Sequence, residues 1–165
     1  MTNYSKLIIS KLGKNHDRAN FYCGIDSLNE YIQKQAKQDV KRRISQVFVA
    51  TNAIEPNKIV GYYTLSSLSI DLSDLPLHLA KKLPHRPVPA ALLGKLAVNQ
   101  DAQRYGIGRM LLADAIKRTL AITDIAIYAI IVDALEEAQN FYEQYGFQPL
   151  ITGENRLFLK LKNIC

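Results

Sequence analysis

A chain of 165 residues, 48% apolar and 22% charged, is long enough for one domain with a substantial core and has the composition of an ordinary globular protein. No apolar run approaches the ~20 residues that span a bilayer, and residues 1–6 lack the apolar stretch of a secretory signal. A membrane or secreted protein is therefore not expected, and a cytoplasmic one is. Lys and Arg number 21 against 15 Asp and Glu, a net charge of +6, which is compatible with a polyanionic partner without requiring one. Cys23 and Cys165 sit far apart and Cys165 is the last residue of the sequence, so no structural disulfide is expected, and there is no His/Cys ligand cluster, so no metal site is expected either.

Residues 6–10 read as a first strand, and residues 13–24 as a polar, irregular segment. Ser27 and Glu30 have the spacing of a capping box and predict the start of a helix. Leu28, Tyr31, Ile32, Ala36 and Val40 recur at helical spacing on one face. The other face carries Lys34, Lys37, Lys41, Arg42 and Arg43, five cations against the one carboxylate of Asp39. Residues 46–51 and 58–70 read as a hairpin turning at Pro56-Asn57, and residues 75–83 as a short helix. Three prolines within residues 84–89 predict a stiff loop. Residues 91–98 read as a buried strand, 106–121 as a helix with Leu111, Leu112, Ala115, Ile116 and Leu120 on one face, and 125–132 as a strand covered on both sides. A second helix is expected over 134–145, ended by Gly146, and a last strand over 156–161. Strand, helix, strand in the later half implies parallel pairing across a helical crossover.

The strand ending Leu96-Ala97-Val98 runs into Gln103-Arg104-Tyr105-Gly106-Ile107-Gly108, where two glycines one residue apart open a helix. Such a turn presents backbone N–H groups at the positive end of a helix dipole, a seat for a diphosphate. The spacing is neither the Gly-x-Gly-x-x-Gly of a dinucleotide fold nor a P-loop. Plain turn chemistry is the bland alternative. For the basic face the alternative is a solvated helix surface, and for Tyr142 an amphipathic core aromatic. His16, His78 and His85 are the side chains that titrate near neutrality, and each reads first as a surface histidine.

The Gln/Arg-x-x-Gly-x-Gly turn after a strand resembles that of the GNAT acyltransferases. Ala138, Phe141, Tyr142, Gly146 and Phe147 resemble their second signature, in the expected order. The resemblance implies an α+β GNAT fold in a single domain over residues 1–165. Its central sheet would be mixed but mostly antiparallel, flanked by helices, with a parallel strand pair splayed at the acetyl-CoA site. It further implies that Leu96, Ala97, Val98, Gln103, Arg104, Tyr105, Gly106, Ile107, Gly108, Arg109 and Asn140 bind the co-substrate, and that Tyr142 protonates the leaving thiolate. A phenol has a reference pKa near ~10, close to that of a thiol.

The runs 16–24, 28–32, 35–39 and 88–98 are similar to the GNAT toxins of bacterial type II toxin–antitoxin systems. His85-Arg86, where a Tyr or Phe is usual, and Asn99, in place of a common Asp, depart from that pattern. What this implies is an enzyme that acetylates the α-amine of aminoacyl-tRNA and blocks translation. Its cognate antitoxin would be a ribbon-helix-helix protein, and a homodimer is common in that family. Lys34, Lys37, Lys41, Arg42, Arg43 and Arg86 become candidate tRNA contacts. A GNAT acting on a protein N-terminus, a lysine or a small amine, and a non-catalytic GNAT-like binding module, are the alternatives.

Overall fold

The computed structural model describes residues 6–151 and 155–163. Cys165 lies outside them. The strands among the described residues are β1 (Leu7–Lys11), β2 (Gln46–Asn52), β3 (Gly61–Ile70), β4 (Val88–Val98), β5 (Ala129–Asp133), β6 (Gln148–Pro149) and β7 (Arg156–Lys160), hydrogen-bonded in the order β1-β2-β3-β4-β5-β7-β6. The helices are α1 (Asp26–Glu30), α2 (Ala36–Lys41), α3 (Leu77–Ala80), α4 (Ile107–Leu120) and α5 (Gln139–Glu143). The mixed sheet with a parallel β4–β5 pair and flanking helices is the expected architecture. Two compact units divide the chain: Met1–Leu65 with Lys95–Ala115, and Ser66–Gly94 with Ile116–Cys165. The chain of β3, β4 and α4 passes through both.

In the first unit β1 pairs antiparallel with β2, and β2 with the start of β3, closing the predicted hairpin. One face is built on Phe21, Ile32, Val47, Tyr62 and Ala97; a second cluster gathers Ala50, Val60, Ile107 and Leu111. Alternation along β4 explains the split, because Ala97 points to one cluster and its neighbours Leu96 and Val98 pack on the other. In the second unit β4 and β5 pair in parallel from Ala90↔Ala129 to Leu93↔Val132. β5 also pairs antiparallel with β7, and its Ala129 to Val132 are wholly buried, as expected of a strand covered on both faces.

The differences from the sequence reading have local causes. Ser27 does not cap α1. The helix begins earlier, at Asp26, with Ile25 at the cap and no side-chain cap bond. The entry is held instead by buried Asn29, whose Oδ1 accepts the Cys23 N–H at 2.8 Å. The single basic helix is interrupted by a π-turn at Tyr31–Gln35 between α1 and α2. β4 starts at Val88 and admits Pro89, whose carbonyl accepts the Tyr128 N–H. β5 begins at Ala129 rather than at 125, and Ile125 is 63% exposed. The helix predicted over 134–145 is a 3-10 turn, Glu136–Ala138, followed by the short α5. Gly146 ends it as expected, at φ +93°, with the Phe147 N–H bonded back to the Tyr142 carbonyl.

Candidate acyl-transfer site

In the first unit, β4 ends at Val98, a 3-10 turn spans Gln100–Ala102, and α4 begins at Ile107. Between them Arg104 has φ +74° and Gly106 φ +76°. Left-handed residues set between right-handed and extended ones turn successive N–H groups toward one concavity, an anion-binding nest. At Gly106 a side chain would meet nothing within 4 Å, so the backbone angle, not space, calls for glycine. Arg104 adopts the left-handed region without that freedom, a strain of about 1–2 kcal/mol. Ile107 is buried and roots the turn, while Arg104, Tyr105 and Arg109 are exposed and Gly108 is half-buried.

The side chain of Gln103 has a structural task. Its amide donates to the Cys23 carbonyl and the Val98 carbonyl, each at 3.0 Å. Together with the Gln100 N–H, which bonds the Tyr22 carbonyl at 2.8 Å, it ties the 21–25 segment to the turn. The backbone of 104–108 is thereby fixed in advance, which suits a preorganised anion site.

The end of β4 is set by a residue the sequence reading passed over. A Cβ on Gly61 of β3 would stand 2.9 Å from the Ala97 carbonyl oxygen and 2.9 Å from Leu111 Cδ1. Only glycine lets β3, β4 and α4 approach this closely at Ala97. The signal was available as an isolated glycine at the head of a strand. Asn99 is buried, its N–H bonded to the Val60 carbonyl and its side-chain amide to the Ile59 carbonyl. It finishes the strand and fixes where the turn starts.

Tyr142 lies in the second unit, on α5. Its side chain is 5% exposed and sits edge-on to Phe141 and Phe147, with ring centroids 5.1 and 5.6 Å away. Burial pushes its phenol well above the ordinary value. The expected match to a thiol pKa is therefore not met: burial keeps the hydroxyl protonated throughout the neutral range. Asn140 is exposed on the same short helix. Asp133, at the end of β5, accepts from Arg156 Nε at 2.7 Å.

The basic side chains Lys34, Lys37, Lys41, Arg42 and Arg43 are all exposed in the first unit. Among the described residues Asp39 forms no ion pair with them. Its two carboxylate oxygens accept from the Tyr31 hydroxyl and the Gln35 amide, each at 2.9 Å. Arg43 has φ +61°, and the Ile44 N–H returns to the Asp39 carbonyl while the Arg43 N–H returns to that of Val40. This is a Schellman end with arginine where glycine is usual. Arg86 is exposed in the second unit, in the proline loop. Of the histidines, His78 and His85 are exposed, whereas His16 Nδ1 accepts the Gly13 N–H and burial lowers its pKa. Among the described residues no group of three His, Cys, Asp or Glu side chains could hold a metal ion, and no helix is long and apolar enough to cross a membrane.

Residues 43–149 match the acetyltransferase (GNAT) domain family. The chain belongs to the GNAT acetyltransferase family. The GNAT match runs through both units and includes the nest and Tyr142. Over 99% of its length, and 96% of the relative's, the chain is 34% identical to a probable toxin TacT of Sinorhizobium fredii. It is 36% identical to a tRNA-acetylating toxin of Mycobacterium tuberculosis, covering 89% of this chain and 87% of that one. Among solved structures, AtaT complexed with acetyl-methionyl-tRNAfMet is 30% identical and superposes with a TM-score of 0.85, covering 96% of this chain and 97% of AtaT. A Tyr-to-Phe mutant of AtaT bound to the C-terminus of the antitoxin AtaR and acetyl-CoA is 27% identical, with a TM-score of 0.78 over 96% of this chain and 95% of that one.

Proposed function

We propose that this GNAT acetyltransferase transfers the acetyl group of acetyl-CoA to the α-amino group of aminoacyl-tRNA, and so blocks translation in the cytoplasm until a cognate ribbon-helix-helix antitoxin neutralises it. The observation that carries this reading is the likeness, over nearly the whole chain, to AtaT caught with acetyl-methionyl-tRNAfMet. The tRNA-acetylating relative of 36% identity supports it, as does the exposed, net-positive stripe of residues 34–43.

Each residue has a part. The nest of Arg104 to Gly108 receives the pyrophosphate, with Arg104 and Arg109 adding charge. The backbone of Leu96, Ala97 and Val98 pairs with the strand-like pantetheine and offers an N–H to the oxyanion. Asn140 contacts coenzyme A from α5. An acceptor α-amine with a reference pKa near ~8 is about half neutral near that pH and attacks the thioester carbonyl without a strong base. The thiolate departs with a proton from Tyr142. Lys34, Lys37, Lys41, Arg42, Arg43 and Arg86 hold the tRNA backbone.

A cell-free translation reaction tests the reading. Protein added with acetyl-CoA should stop synthesis, and fresh charged tRNA, but not deacylated tRNA, should restore it. Reversing Lys41, Arg42 and Arg43 to glutamate should raise the KM for tRNA and leave acetyl-CoA binding unchanged. Inhibition that deacylated tRNA also relieves would point to sequestration of tRNA instead of acetylation.

A further inference from the structure

We propose that Lys95 is the acceptor-side cation of this site, taking the phosphodiester beside the aminoacylated terminal nucleotide, a role that rests on the aminoacyl-tRNA reading above. Lys95 immediately precedes the Leu96–Val98 segment and is half-buried. Strand alternation puts its side chain on the Ala97 face of β4, the face packed by Tyr31 and Tyr62, not the face packed by Ile107 and Leu111. Its ammonium sits 4.3 Å from the centre of the Tyr31 ring. Among the described residues no carboxylate pairs with it. Asp39, bonded to the Tyr31 hydroxyl, is instead committed to that hydroxyl and to Gln35.

The surroundings are built to hold this ammonium. Tyr31 opens the π-turn of Tyr31–Gln35, an irregularity frequent at functional sites. The turn brings the Tyr31 hydroxyl to Asp39, eight residues on. The ring stacks on buried Tyr62, centroids 6.2 Å apart, and Tyr62 donates to the Leu28 carbonyl at 2.6 Å. On the strand side the Lys95 N–H bonds Thr64 Oγ1 at 3.0 Å. A half-buried cation on an aromatic floor, in no ion pair among the described residues, has N–H donors to offer an incoming anion. The anion class follows from the acceptor's chemistry. Esterification removes the amino acid's own carboxylate, so the anion nearest to the reacting amine is the terminal phosphodiester.

The test compares two acceptors, charged tRNA and an aminoacyl-adenosine nucleoside that lacks phosphate, with wild-type protein, Lys95→Met and Lys95→Arg. For Lys95→Met the KM for charged tRNA should rise about tenfold, and the salt slope of its binding should fall by roughly one. Acetyl-CoA binding and turnover of the nucleoside should stay at the wild-type level, and Lys95→Arg should keep most of the affinity. Equal loss on both acceptors would overturn the assignment and make Lys95 a packing residue. If wild-type protein acetylates neither acceptor, the aminoacyl-tRNA reading itself fails, whatever Lys95 does.

Discussion

Tyr142 is the proton donor of the proposed reaction. Phenylalanine keeps its edge-on contacts with Phe141 and Phe147, so Tyr142→Phe should fold normally and bind acetyl-CoA while losing about 10²–10⁴ in kcat. Burial raises the phenol's pKa, so activity should climb with pH as the acceptor amine loses its proton near ~8 and should show no fall from Tyr142 ionising up to about pH 10. A falling limb below that, absent from Tyr142→Phe, would contradict the assignment; stopped-flow kinetics on both proteins would reveal it. At Gly106, alanine must adopt φ +76°. Gly106→Ala should weaken acetyl-CoA binding in calorimetry and cost about 1–2 kcal/mol of stability in urea. The residue types at these positions were legible in the sequence. The task of Gln103 and the need for glycine at position 61 were not, because each depends on a carbonyl remote in the chain: Cys23 for one, Ala97 for the other.

Among the elements, the segment from α1 to α2 departs most from a regular helix. Spacing alone predicted a continuous amphipathic helix, and the apolar positions Leu28, Tyr31, Ile32 and Ala36 are indeed buried. A π-turn adds a residue to one turn without breaking the apolar face, so periodicity does not betray it. The cap departs from the capping-box spacing for a related reason: Asn29, deep in the unit, fixes the helix entry in place of Ser27. At the other end Arg43 holds a left-handed position. Arg43→Gly should stabilise the fold by about 0.5–1 kcal/mol, read as a higher midpoint in urea, and should at the same time weaken tRNA binding. A loss of stability would show that Arg43 makes a structural contact worth more than its strain. α4, in contrast, was legible almost to the residue, because its start is a glycine turn and its buried side chains keep strict helical spacing.

For the molecule as a whole, the parallel β4–β5 pair was readable because strand, helix, strand leaves one sensible crossover; the strand order of the full sheet was not, because it rests on pairings between segments remote in the chain. The two-residue β6 escaped notice, being too short to carry a pattern and containing Pro149. Net charge gave a direction without a target, since +6 fits many partners. The exposed stripe of residues 34–43 suits the proposed tRNA acceptor, and that proposal predicts acceptor binding that weakens steeply with salt. The central claim is that the polyanion is charged tRNA and that its amino group is the acceptor. Transfer of label from radioactive acetyl-CoA to purified charged tRNA, with deacylated tRNA and a peptide pool alongside, tests it most directly. Label in the charged tRNA alone, absent with Tyr142→Phe, is the predicted result; label in the peptides and none in the tRNA would contradict it.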